Sequence, residues 1–257
     1  MKRVLTVALV VVLCAVMFCV PVSAAVVETN YDLYSRCNDR MTEFKTMEME
    51  MKATMTIQQG GVKTPATMEG VIKQVFYAED KNMDMQMDMA VTAGDQTINI
   101  TMYFMDGVAY QNMDGAKTKY PMDFSDVMSI SSTINLDFEE DAVNAGEMTK
   151  VLGGKRLDFT YKAEDMNALM DSMMDTVMSS MSMSGTKASF SDIKCMMYIG
   201  DDYTLKENRM IFGAKITDAK GVVTEANYDM FYKILKYDPY MVISLPADLD
   251  SYTLATL

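Results

Sequence analysis

The sequence predicts an α+β protein built on one antiparallel sheet with helices lying on one face of it. Three observations carry this reading. Residues 47–57 and 83–91 alternate apolar and polar side chains without a break. Successive side chains of a strand point to opposite faces, so this alternation marks a half-buried strand. Short turns containing Gly and Asp recur between such stretches and join them into a meander. Residues 29–45 and 164–182 switch to helical spacing.

Residues 1–24 read as a secretory signal peptide and stand outside the fold. Lys2-Arg3 is a positive n-region, Val4 to Val20 is an almost unbroken apolar run, and Val22 and Ala24 fit a small-residue cleavage site. A retained anchor helix is the alternative, because the run approaches spanning length. Cys14 follows Leu13 and Cys19 follows Phe18, so neither fits a lipoprotein cleavage site. Residues 25–257 contain no Pro-, Ser- or Gly-rich linker and read as a single secreted, extracytoplasmic domain.

Charge narrows the partners. Residues 1–24 take away Lys2 and Arg3 and no acid, leaving 21 basic against 36 acidic side chains, a formal charge of −15. Such a surface repels nucleic acid and anionic headgroups and suits a monomer among polyanions. Nucleic-acid binding is excluded on this ground.

The elements follow in order. Thr29 or Asn30 caps a helix over 29–45 whose Leu33, Cys37, Met41 and Phe44 form one stripe. Strand 47–57 comes next, with Met47, Met49, Met51, Ala53, Met55 and Ile57 on one face. A Gln-Gln-Gly-Gly turn leads into strand 67–77, interrupted in pattern by Gly70. Strand 81–92 sets Met83, Met85, Met87, Met89 and Val91 on one side. Strand 97–105 follows Ala93-Gly94-Asp95 and turns Ile98, Ile100, Met102 and Phe104 inward. Asp106-Gly107 and Asp114-Gly115 are hairpin turns leading to strands 108–112 and 117–120.

Between 123 and 146 the pattern is mixed. Phe124, Val127 and Met128 suggest a short helix, and Glu139-Glu140-Asp141 a loop or helix end. Residues 148–152 and 156–162 read as strands around Gly153-Gly154. The helix over 164–182 carries Met166, Met170, Met173, Met174, Val177, Met178 and Met181 on one stripe, and Asp and Ser opposite. Long strands at 188–199, 203–216 and 222–235 follow, and 241–245 closes the sheet before a tail that begins at Pro246.

Catalytic patterns are absent. The chain has no His, and so lacks the usual general base and zinc ligand. It holds no G-x-S-x-G, no Walker-type loop and no G-x-G-x-x-G. Asp84, Gln86 and Asp88 share a strand face, and Asp201-Asp202 sits in a turn, but neither has the ligand spacing of a calcium loop. No enzyme, cofactor or metal centre is expected. Cys37 and Cys195 are a disulfide candidate in an oxidising compartment, or else two buried thiols packed as small hydrophobes.

Methionine is the distinctive feature: the chain has 30 Met and no Trp. Three readings compete. Thioethers fill irregular gaps in a core; M-x-M and M-M spacings supply soft ligands for Cu(I); or the methionines form a malleable wall around a variable apolar guest. A chain needing only stability would do better with Leu, Ile and Val, whose fewer rotamers specify a core more sharply.

The helix 29–45, the strand 47–57, the hairpin Tyr103-Phe104-Met105-Asp106-Gly107-Val108-Ala109-Tyr110 with Lys119-Tyr120, and the closing Ile243-Ser244-Leu245-Pro246 resemble the LolA/LppX-like lipoprotein-carrier superfamily, including its uncharacterised Gram-positive secreted members. The resemblance implies a strongly curved antiparallel half-barrel with helices packed in its concave face and an apolar cavity that takes acyl chains. The expected function is therefore binding or carriage of a lipid or other hydrophobic molecule. The expected lining is Met47, Met49, Met51, Met55, Met83, Met85, Met87, Met89, Ile100, Met102 and Phe104 from the sheet, with Met166, Met170, Met173, Met174 and Met178 from the second helix. A structural or interaction protein of the envelope, with a filled core and an envelope protein as partner, is the alternative, and Cu(I) binding the third.

Overall fold

The computed structural model describes residues 29–77, 82–121, 140–164, 187–218, 220–237 and 240–254. The signal segment, all of 123–139 and all but the first residue of helix 164–182 lie outside the described residues.

Thr29 caps the first helix, α1 (Asn30–Thr42). Its hydroxyl accepts from the Asp32 amide at 3.1 Å while the Asp32 carboxylate accepts from the Thr29 amide at 2.8 Å, a reciprocal capping box. A first meander follows: β1 (Thr46–Gln59), β2 (Val62–Tyr77), β3 (Asn82–Ala93), β4 (Gln96–Met105), β5 (Val108–Met113) and β6 (Ala116–Pro121). After α2 (Glu140–Asn144) come β7 (Glu147–Val151), β8 (Gly154–Tyr161), β9 (Lys187–Phe190), β10 (Ile193–Gly200), β11 (Leu205–Thr217) and β12 (Val223–Lys236). A two-residue strand, β13 (Thr253–Leu254), ends the described chain.

These strands form one open sheet in the order β13-β6-β5-β4-β3-β2-β1-β12-β11-β10-β8-β7, with β9 paired to the far end of β11. β1 is the seam. It pairs with β2 on one side and with β12 on the other, so the two meanders share a single sheet. One face is buried and carries the core; the other is exposed in alternation.

Three departures from the sequence reading have physical causes. β2 begins at Val62, not Thr67, and takes in Pro65. Pro65 sits opposite Thr56 in a stretch where β3 has not yet joined β2, so its missing amide breaks no ladder bond. The expected strand 188–199 is two strands. Ala188 and Phe190 are buried before the break, and Ile193, Cys195 and Met197 after it, so the alternation changes phase. Ser191 fills the break: its hydroxyl accepts from the Gly213 amide at 2.7 Å. Residues 241–245 form no strand. Only Ile243 is buried there, and the sheet edge is extended instead by β13, parallel to β6.

α1 packs on the buried face at the β8–β12 end. Tyr34 meets Phe159 edge-on at 6.1 Å between ring centroids. Phe44 stacks on Tyr237 at 3.8 Å, and the Tyr237 hydroxyl donates to the Leu205 carbonyl at 2.9 Å. Asn30 ties α1 to the end of α2 by donating to the Gly146 carbonyl at 2.7 Å.

Gly70 lies where β2 and β3 approach closely, facing Met51 on one side and Met89 on the other. A Cβ here would run into the Asp88 carbonyl oxygen and stand 2.8 Å from the Met89 Cγ. Gly70→Ala is expected to destabilise the fold by about 1–3 kcal/mol through overpacking. A urea titration reads this directly, and an unchanged midpoint would contradict the close approach.

Candidate functional site

Alternation and register together build a methionine face. Each residue opposite a buried one shares its face, so the pairings lay side chains out in rows across the strands. One row runs Ile234, Met49, Ile72, Met87, Met102 from β12 to β4. The next runs Tyr232, Met51, Gly70, Met89, Ile100. On the other flank Met47, Gln74, Met85 and Phe104 lie in line. Met55 stands opposite Tyr228, and Met83 opposite Phe76.

All eleven sheet residues expected to line a cavity therefore share this one face, and all are buried. Met51 is 0% and Met87 1% exposed. Met166, Met170, Met173, Met174 and Met178 lie outside the described residues. Met68, Met210 and Met230 belong to the same face and escaped the sequence reading. They fill one row with Phe159, Cys195, Ala53 and Val91. Each stands at an inward position of its strand, and extending the alternation through the second meander would have found them.

Gln74 was also missed. It is 0% exposed, between Met47 and Met85. Its amide nitrogen donates to the Met85 thioether at 3.7 Å, and its Oε1 has no hydrogen-bond partner among the described residues. The visible signal was a polar residue in phase with Ala66, Met68 and Ile72. Asn208, opposite Tyr232 on the same face, likewise has a buried Oδ1 without a partner among the described residues.

Cys37 and Cys195 are both buried, and no disulfide joins them. Both belong to the hydrophobic core. Burial pushes the Cys195 thiol up to about 12.

The opposite, exposed face is polar. Arg209 makes a bidentate pair with Asp229 at 2.7 and 2.5 Å, which holds the Asp229 carboxyl below the usual carboxylate range. Tyr77 donates to Asp84 at 2.8 Å and Gln86 to Asp88 at 2.7 Å, so neighbouring side chains hold these two acids. Among the described residues no group of three His, Cys, Asp or Glu is placed to hold a metal. A shallow groove of about 650 Å³ crosses this face over Phe231, Met196 and Tyr198, between Arg156, Arg209 and Lys52. It lies on the opposite side of the sheet from the methionine face.

No protein-family model matches the chain, and no curated protein matches it. Among solved structures it is similar to the ywiB protein from Bacillus subtilis, at 10% identity and a TM-score of 0.26 over 75% of this chain and 94% of that one. It is similar also to a DUF1329 family protein from Desulfovibrio piger, at 12% identity and a TM-score of 0.25 over 83% and 93%. At these scores the likeness carries no weight, and the functional reading rests on the site itself.

The Cys195 shift has a sign. From about pH 9 to about pH 12 the unfolded thiol loses its proton while the folded one keeps it, so the folded state loses stability as pH rises through that window. Cys195→Ala removes this contribution. The gap in melting temperature between wild type and variant is expected to narrow from about pH 8 to about pH 11. A gap constant with pH would contradict a buried, protonated thiol.

Proposed function

We propose that the protein binds a lipid or other hydrophobic ligand against its methionine face, non-covalently and without catalysis, outside the cytoplasm. In this reading the sheet curves into a half-barrel, the stripe of helix 164–182 supplies the opposite wall, and the guest's chain lies between. The observation that supports it is the apolar character of the face, interrupted by Gln74 and Asn208. Rows crossing five strands carry thioethers, aliphatic groups and aromatic rings, and no Lys or Arg is buried among the described residues.

Energetics point the same way. A fully buried Met gains roughly 1.5–3 kcal/mol by leaving water but loses up to about 2 kcal/mol of rotamer freedom, where Leu or Ile loses only about 0.5–1. A methionine wall is thus a poor choice for stability and a good one for reshaping around a guest. Binding would draw on about 25 cal/mol per Å² of apolar area covered, less the cost of ordering the guest.

The near-complete burial of Met51 and Met87 favours a second reading, a structural or interaction protein of the envelope whose face is simply filled core. Native mass spectrometry of the purified protein, followed by titration with diphenylhexatriene, separates the two. The carrier reading expects a co-purifying amphiphile and a saturable rise in fluorescence. Repeatedly empty preparations with no fluorescence change would leave the filled core.

A further inference from the structure

Gln74 is an odd residue for a wall of thioethers. A buried amide oxygen left without a donor costs about 1–3 kcal/mol, and methionine or leucine would fit the same register position without that cost. The orientation of the amide is fixed by its neighbour. A thioether sulfur accepts but cannot donate, so the contact to Met85 Sδ takes the nitrogen and turns Oε1 away. What remains is an acceptor, 0% exposed and unpartnered among the described residues. The unpartnered Asn208 Oδ1 is a second acceptor on the same face. Asn208 stands three strands away, so Gln74 acts alone: its register neighbours Met47 and Met85 are apolar, and no Lys or Arg is buried among the described residues. A carboxylate or phosphate head would bring more acceptors and a charge with nothing to neutralise it. A plain hydrocarbon would leave the amide oxygen unpaired.

We infer that the ligand class is a long-chain compound with an uncharged hydroxyl head, whose O–H donates to Gln74 Oε1 while its chain lies along the methionine rows. The inference rests on the carrier reading and deepens it: Gln74 selects among apolar guests by their heads. Such a site prefers a fatty alcohol or a glycerol monoester to a fatty acid anion or an ether of the same length.

Displacement of diphenylhexatriene by 1-dodecanol, its methyl ether and dodecanoate tests this, with wild type, Gln74→Leu and Gln74→Met compared. Wild type is expected to bind the alcohol roughly five- to tenfold more tightly than the ether, and to bind dodecanoate most weakly at neutral pH. Both variants are expected to bind the ether at least as well as wild type and to lose the preference for the alcohol. Either variant suffices if the other fails to fold, since each removes the acceptor and keeps the volume apolar. Equal binding of alcohol and ether by wild type would overturn the role of Gln74 while leaving a hydrophobic carrier. So would a preference for dodecanoate, or a preference that persists in the variants. If neither the dye nor any of the three compounds binds, the carrier reading fails and the inference fails with it.

Discussion

Everything on the buried face depends on the register of β1. Its side chains have a period of two, so a slip of one residue against either neighbour would move every methionine to solvent and every Glu, Lys and Thr inward. Pairing on both sides pins it. β2 fixes one flank from Thr46 to Gln59, and β12 fixes the other over nearly the same length, with one irregularity between Glu48 and Met49. The same strand that locks the register also joins the halves of the sheet. Met51 therefore meets Tyr232 from the end of the chain and Gly70 from its beginning.

The face built on that register holds two opposed properties. Its backbone is rigidly specified, by long ladders, a close approach at Gly70 and a capped helix at one end. Its side chains are not, because thioethers on unbranched stems exchange rotamers at little cost. A fixed frame with a soft lining would suit the guests of variable shape proposed above, and Gln74 would give the means of choosing among them. The exposed face is arranged the other way, with short ion pairs such as Arg209–Asp229 laid across neighbouring strands.

Much of this was legible in the residues. Strands with strict alternation, such as 47–57 and 83–91, fell within one or two residues of their observed limits, and Thr29 and Asp32 marked the start of α1. What was hidden had local rules overridden by distant ones. Pro65 signals a break, yet the strand tolerates it because its second neighbour starts later. Residues 241–245 have strand-like alternation and keep its burial at Ile243, but no partner strand pairs with them. The parallel contact of β13 with β6, held by Lys117 and Asp248 and by Tyr110 against Tyr252, joins segments too far apart for any pattern to announce. Gln74 was in plain view as an inward polar residue; only the register, placing it between two methionines, gave it meaning.

The central claim, that the methionine face receives a guest, is tested most directly by NMR of protein labelled with 13C at the methionine ε-methyl groups. Addition of a long-chain alcohol is expected to shift the resonances of Met49, Met51, Met85, Met87 and Met102 together. Met196, on the opposite face, should stay in place. Unmoved resonances across the buried face at saturating alcohol, or shifts confined to Met196, would contradict the account.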